Sequence, residues 1–322
     1  MTGADGSTRV AAIDCGTNSL RLLVADAPDG TRHGGGGLVD VVRRMEIVRL
    51  GQGVDRTGRL DPAAIERARV VLAAYATQLR RLGAERVRMV ATSASRDASN
   101  ADDFRTMVRG VLGVEPEVIT GDEEAGLSFT GAVRGLDAAD NASEPPYLVV
   151  DIGGGSTELV LGTGHVVAAR SVDVGCVRLT ERHLHDDPPT PQQRAAAEKD
   201  VVDAVASARE TVPVEQARTL VGLAGSVTTV AALALDLDSY DPDAVHHARI
   251  SYADVAEVTD RLLDATRAER AALAVMHPGR VDVIGAGALV LKVVMEQVGA
   301  DAVVASEHDI LDGIAWSLVG AV

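Results

Sequence analysis

Two stretches of this chain repeat each other in register. Residues 10–24 read VAAIDCGTNSLRLLV and residues 147–161 read YLVVDIGGGSTELVL. Aligned, Asp14 meets Asp151, Gly16 meets Gly153, Ser19 meets Ser156 and Leu22 meets Leu159. Each copy is an apolar strand, an aspartate, a small polar loop, a serine and a second apolar strand. A unit repeated in this way predicts two similar domains facing one another, and 322 residues are enough for two domains with a core each.

The pattern around the repeats predicts an α/β fold with mixed sheets. Residues 9–16, 19–26 and 38–50 read as strands with Gly, Asp and Pro turns between them. From Asp61 the period changes: Ile65, Ala68, Leu72, Tyr75, Leu79 and Leu82 form a helical stripe, with Asp61 as cap, Pro62 in the first turn and Gly83 past the end. A strand at 87–91, a helix at 102–112, a strand at 117–120 and a helix over 122–133 capped by Asp122 complete the first domain, residues 1–136. Residues 137–146 (DAADNASEPP) read as a linker. The second domain, 137–322, restarts with strands at 147–152, 156–162 and 165–172, then helical segments to about 211. A strand at 219–223, helices near 226–235, 251–264 and 285–298, and a strand at 302–305 follow. The last helix, within 310–322, is expected to fold back on the first domain.

Composition narrows the partners. A net charge of −16 argues against a nucleic-acid coating protein, so a polyanionic ligand must be held by a local site. Lys199 and Lys292 are the two lysines, and arginine supplies nearly all the positive charge with its two-pronged grip on phosphate. Cys15 and Cys176 read as packed, reduced thiols rather than a disulfide framework. The polar Met1–Thr8 segment does not look like a signal peptide, and no apolar run approaches the ~20 residues of a membrane span. A cytoplasmic protein without nucleic-acid or membrane partners is expected; a homodimer is one assembly the sequence allows.

The repeated loops point to anion chemistry. Gly16-Thr17-Asn18-Ser19 and Gly153-Gly154-Gly155-Ser156-Thr157 can turn backbone N–H groups inward around phosphate. Their glycines are expected to supply positive φ and a side-chain-free approach. Asp151 and Glu158 flank the second loop, where carboxylates beside an anion need a cation between them; Mg²⁺, with Mn²⁺ as alternative, binds through one or two carboxylates plus substrate phosphates. In GDEEAG (121–126), Glu123 and Glu124 stand in the first turn of a helix, where acids also simply complement the helix field. Either can position a water, because phosphoryl transfer asks more for placement than for strong basicity. Arg96, in ATSASRDASN (91–100) at a strand-to-helix corner, can grip phosphate, with Asn100 bracing that loop or capping the next helix. LAGSVTTV (223–230) is a turn of the kind that takes phosphate or nucleotide, and VIGAGALVL (283–291) suits close helix packing. His183, His185, His246 and His247 lack the spacing of a structural zinc site.

At these residues the chain resembles the exopolyphosphatase/guanosine pentaphosphate phosphohydrolase (Ppx/GppA) family of the actin/Hsp70/sugar-kinase superfamily. The motifs, in order, are AAIDCGTNSLRLLVAD, VRMVATSASRDASN, EVITGDEEAGLSF, LVVDIGGGSTELVLG, LAGSVTTVAAL, MHPGRVDVIGAGA and SEHDILDGIAWS. The resemblance implies two actin-like (ribonuclease H-like) domains with the active site in the cleft between them. It implies Glu124 as the base that orients the attacking water, Arg96 as a phosphate ligand, Asp151 and Glu158 as the magnesium-side acids, and the two loops as phosphate cradles. It is to the short two-domain class, without the extra C-terminal helical domains of longer members, and the final motif lacks an arginine that some members place there.

Three functions are therefore in view. The first is Mg²⁺-dependent release of terminal orthophosphate from inorganic polyphosphate, short chains especially, with 5′-phosphate cleavage of guanosine pentaphosphate as the allied alternative. The second is an ATP-dependent kinase or ATPase. The third is a non-catalytic phosphate or alarmone sensor, which has little use for acids beside its anion site.

Overall fold

A computed structural model of the chain describes residues 7–27, 37–84, 86–134, 136 and 143–320; residues 137–142 of the expected linker lie outside them. The chain forms two compact units, one running to Gly131 and resuming at Ile310, the other from Ala132 to Asp309.

The first unit is built on β1 (Thr8–Cys15), β2 (Ser19–Ala27), β3 (Val39–Ile47), β4 (Arg86–Ala91) and β5 (Glu117–Val118), with α1 (Val54–Thr57), α2 (Pro62–Leu82), α3 (Ser93–Asp97), α4 (Ala101–Leu112) and α5 (Gly121–Val133) between and after them. The sheet order is β3-β2-β1-β4-β5. β1 to β3 are antiparallel neighbours, whereas β4 runs parallel to β1 and β5 parallel to β4. β1 is central and covered on both faces, which is why VAAIDC is buried along its length rather than alternating. α2 starts where its stripe predicts: Asp61 accepts from the Ala63 N–H, and Gly83 ends the helix at φ 67, a conformation that favours glycine.

Several boundaries differ from expectation by one to three residues, two of them for a visible reason. β3 stops at Ile47 instead of 50, because the next two amides leave the ladder for a loop carbonyl. β5 spans only two residues. α5 is not capped by Asp122: it begins one residue earlier, and the Thr120 hydroxyl accepts from the Glu123 N–H.

The second unit contains β6 (Tyr147–Ile152), β7 (Thr157–Gly162), β8 (Val166–Val172), α6 (Cys176–His183), α7 (Pro191–Arg209), β9 (Thr219–Leu223), α8 (Ala224–Ala234), α9 (Pro242–Val245), β10 (Arg249–Ser251), α10 (Tyr252–Asp264), α11 (Arg267–Ala271), α12 (Ile284–Val298) and β11 (Ala302–Ala305). Its sheet order is β10-β11-β9-β6-β7-β8. Read from β8 inward, β8-β7-β6-β9-β11 repeats β3-β2-β1-β4-β5, and β10 is an added edge strand. The internal repeat is thus a repeat of whole sheets, and both units have the expected α/β architecture with mixed sheets. α1, α3, α9, α11 and β10 escaped the sequence reading because a helix of one turn or a three-residue strand shows no periodicity.

The last helix, α13 (Ile310–Leu318), belongs to the first unit. Its Ile310, Leu311, Ile314 and Trp316 join Val10, Ala12, Leu23, Val90 and Leu127 in one buried cluster. Arg43 on β3 grips the buried Asp312 carboxylate through both terminal nitrogens, at 2.5 and 3.2 Å. α2 and α4 cover the opposite face of the sheet with Leu72, Tyr75, Phe104 and Val108.

Candidate active site

The two repeated loops share one backbone design. In each, the first glycine donates to the carbonyl three residues on: Gly16 N–H to Ser19 O and Gly153 N–H to Ser156 O, both at 3.0 Å. Four more loop carbonyls, those of Thr17, Asn18, Gly153 and Gly154, are also spent inside the protein. Gly51 N–H donates to Thr17 O, and the Val48 and Arg49 amides donate to Asn18 O. In the second loop, Gly153 O accepts from Cys176 N–H, and Gly154 O accepts from the Val177 and Arg178 amides at the start of α6. Among the described residues, the amides of Thr17, Asn18, Gly154 and Gly155 donate to no protein acceptor. Carbonyls anchored inward and amides left over are what an anion-binding concavity requires.

The glycines act through space rather than through φ. Neither Gly16 nor Gly153 is left-handed, contrary to expectation; a Cβ on Gly153 would sit 3.1 Å from Ser156 O. Two glycines outside the loops are tighter. A Cβ on Gly175 would lie 2.6 Å from the carbonyl carbon and oxygen of Gly154, and one on Gly51 2.4 Å from Thr17 Cγ2. These two went unnoticed because isolated glycines at element ends give no signal of what they approach. Two loop side chains turn inward: the Thr17 hydroxyl pairs with that of Ser93 at 2.9 Å, and the buried Thr157 hydroxyl donates to Val174 O at 2.6 Å. Thr157 therefore braces the loop and offers no hydroxyl to a ligand, and Ser156 is buried.

The flanking acids differ between the copies. Asp14 stands opposite Arg21 in the β1–β2 ladder and is ion-paired to it at 2.7 Å. Asp151 stands opposite Glu158 at the equivalent β6–β7 position. Both acids are buried, and the Ser171 hydroxyl donates to Glu158 Oε1 at 2.7 Å. Two carboxylates directly opposed on one sheet face suit a shared hard cation. Among the described residues no group of three or more His, Cys, Asp and Glu side chains could hold a metal. An ion at Asp151 and Glu158 would draw its remaining ligands from phosphate and water, which fits Mg²⁺ and not a protein-caged structural zinc.

In the first unit the adjacent glutamates part company. Glu124 is 8% exposed and meets Arg96 Nη1 through Oε2 at 3.2 Å, whereas Glu123 is exposed and paired with Arg88 at 2.7 Å. Arg96 Nη1 also donates to Ile119 O at 3.0 Å. Among the described residues, Arg96 Nε and Nη2 make no hydrogen bond, so two prongs of the guanidinium are open to an anion. Asn100 braces rather than caps: its side chain takes both backbone groups of Leu60.

The β9–α8 turn holds a cation that the sequence reading passed over. Ala224 sits at φ 66, and a Cβ on Gly225 would fall 2.0–2.5 Å from the Arg280 guanidinium, which therefore lies flat on that glycine and donates to Thr229 Oγ1. Gly287 lets α12 close on Ser226 and Cys176, as the VIGAGALVL spacing predicts. Burial pushes both thiols up, so Cys15 and Cys176 are not thiolates at neutral pH. His183 contacts Asp200, while His246 stacks on His247 and His308.

Residues 31–321 match the Ppx/GppA phosphatase family. The chain belongs to that family. It is 56% identical over 322 residues to Exopolyphosphatase 2 of Mycobacterium tuberculosis, covering 97% of this chain and 99% of that protein. The crystal structure of an exopolyphosphatase-like protein superposes with a TM-score of 0.91 at 42% identity, covering 97% of both chains. A more distant Ppx/GppA relative is the guanosine-5′-triphosphate,3′-diphosphate pyrophosphatase of Aeromonas salmonicida, 30% identical over 96% of this chain and 59% of that one. As a Ppx/GppA phosphatase the chain is a phosphoanhydride hydrolase. Among its described residues no helix is long and apolar enough to cross a membrane.

Proposed function

We propose that this chain is an exopolyphosphatase, releasing terminal orthophosphate from inorganic polyphosphate, short chains in particular. The observation that favours hydrolysis is the buried Glu124 beside an arginine with two prongs open. Similarity along the full length to Exopolyphosphatase 2 favours polyphosphate over the guanosine nucleotide.

In this reading water attacks the end phosphorus in line with the departing chain. Glu124 orients that water and accepts its proton as the bond to phosphorus forms. A carboxylate is a weak base, but the transition state is loose and placement dominates. Arg96 Nε and Nη2 hold the terminal phosphoryl oxygens, and the amides of Thr17 and Asn18 in one loop and of Gly154 and Gly155 in the other take phosphate oxygens along the chain. A divalent cation at Asp151 and Glu158, Mg²⁺ first and Mn²⁺ as alternative, supplies charge neutralisation when bound. The orthophosphate leaves, and the shortened chain carries the negative charge of the broken anhydride. A cytoplasmic setting goes with this reading.

Side-by-side turnover of short polyphosphate, long polyphosphate, guanosine pentaphosphate and ATP by the purified chain tests it. The highest kcat/KM is expected for polyphosphate. Preference for the pentaphosphate would move the assignment to the allied alternative; preference for ATP, or tight polyphosphate binding without phosphate release, would overturn it.

A further inference from the structure

Glu123 and Glu124 are neighbours on α5, about 100° apart around the helix axis, so the rotation of its first turn decides which carboxylate Arg96 meets. One contact that bears on that rotation lies outside the site. Arg88 on β4 reaches three elements at once. Its Nη2 meets Glu123 Oε1 on α5 and Glu117 Oε2 on β5, each at 2.7 Å, and its Nη1 donates to Ser317 Oγ on α13 at 2.9 Å. The Ser317 hydroxyl is itself fixed, donating to Ile314 O at 2.6 Å. A second contact joins the same two helices: a Cβ on Gly313 would stand 2.0 Å from Leu127 O, so α13 lies against the α5 backbone one turn beyond Glu124. The SEHDILDGIAWS motif, which the proposed chemistry does not use, thus sits behind the helix that presents the base.

We propose that Arg88 is a positioning residue of the hydrolytic site: held by Glu117 and the C-terminal helix, it sequesters Glu123 and so reserves Arg96 for Glu124. The inference rests on the reading of Glu124 as the water-orienting residue. Without Arg88, a second carboxylate in the same turn is released, and it can compete for Arg96, which already stands beside its neighbour Glu124. Glu124 and the open prongs of Arg96 then lose their alignment, although neither residue has changed.

Four variants of the full chain decide it by steady-state phosphate release from polyphosphate, with thermal melts alongside: Arg88→Met, Glu123→Gln, the double variant, and Glu124→Gln. Arg88→Met is expected to lower kcat about 10- to 100-fold with KM within about three-fold, the scale of a small misplacement of a reacting group. Glu123→Gln alone stays near wild type, and the double variant recovers to within about three-fold of wild type, because the competing charge is gone. A purely structural Arg88 would gain nothing from Glu123→Gln, so a double variant as slow as Arg88→Met, or an undiminished kcat in Arg88→Met, overturns the inference. If Arg88→Met does not fold, Arg88→Lys replaces it; lysine keeps the charge but not the fork, and its smaller loss must also be relieved by Glu123→Gln. Full activity in Glu124→Gln would overturn the reading of Glu124 and this inference with it. An inactive Glu124→Gln beside an unrelieved Arg88 variant would overturn this inference alone.

Discussion

Asp151 and Glu158 face each other across β6 and β7 at the register where Asp14 and Arg21 face each other across β1 and β2. One backbone design, used twice, is filled once with an ion pair and once with two acids. In the first copy the two charges offset each other; in the second, like charges stand directly opposed, which destabilises a ladder and supports the cation proposed there.

Removing half of that pair is expected to weaken the metal requirement's affinity rather than the fold. Asp151→Asn should raise the Mg²⁺ concentration at half-maximal activity about ten-fold or more. Mn²⁺ binding followed by electron paramagnetic resonance reads the same loss without relying on turnover. Unchanged Mn²⁺ affinity would remove Asp151 from the metal site.

Glu124→Gln preserves size and can still accept from Arg96, so folding is expected to hold while the proton acceptor is lost. A fall in kcat of about 10²- to 10⁴-fold with little change in KM is the expected outcome. Phosphate release at the wild-type rate across polyphosphate lengths and the pentaphosphate would exclude Glu124 from the mechanism.

Gly175→Ala tests the second loop through its support. The added methyl meets Gly154 backbone at 2.6 Å, which must shift. A destabilisation of about 1–3 kcal/mol and a raised KM for polyphosphate are expected together. Gly164→Ala is the control, because a Cβ there meets nothing within 4 Å; it should melt with wild type. A Gly175→Ala protein with wild-type melting and KM would mean that the loop is set by something else.

Burial, and after it the neighbouring His308, hold the His247 imidazole below its ordinary value of 6.5. The unfolded chain then takes up a proton before the folded protein does. Stability from this group is complete above the ordinary value and is lost as pH falls through it toward the depressed one. His247→Asn, an amide that tolerates the φ of 65 at this position, should flatten that loss. Between about pH 7.5 and 5.5 the wild-type Tm should fall by about 1–3 °C more than that of the variant. Parallel Tm curves would rule the group out.

The sequence by itself determined the repeat, the alternation of strands and helices, and the residue types that handle phosphate. These are local properties: the in-register match of residues 10–24 with 147–161 shows in the residues themselves, and the stripe from Ile65 to Leu82 shows in its spacing. Spacing alone could not separate Glu123 from Glu124; the family resemblance singled out Glu124 without a physical reason. Neighbours in one helical turn differ only in what stands opposite them, and Arg88 and Arg96 come from elsewhere in the chain. Nor could it show that Gly175 and Gly51 support the loops, that Arg280 lies on Gly225, or that Thr157 spends its hydroxyl on Val174. Each of those is a contact between segments far apart in sequence. Tertiary structure decided them, because a partner's identity is set by packing and not by spacing along the chain.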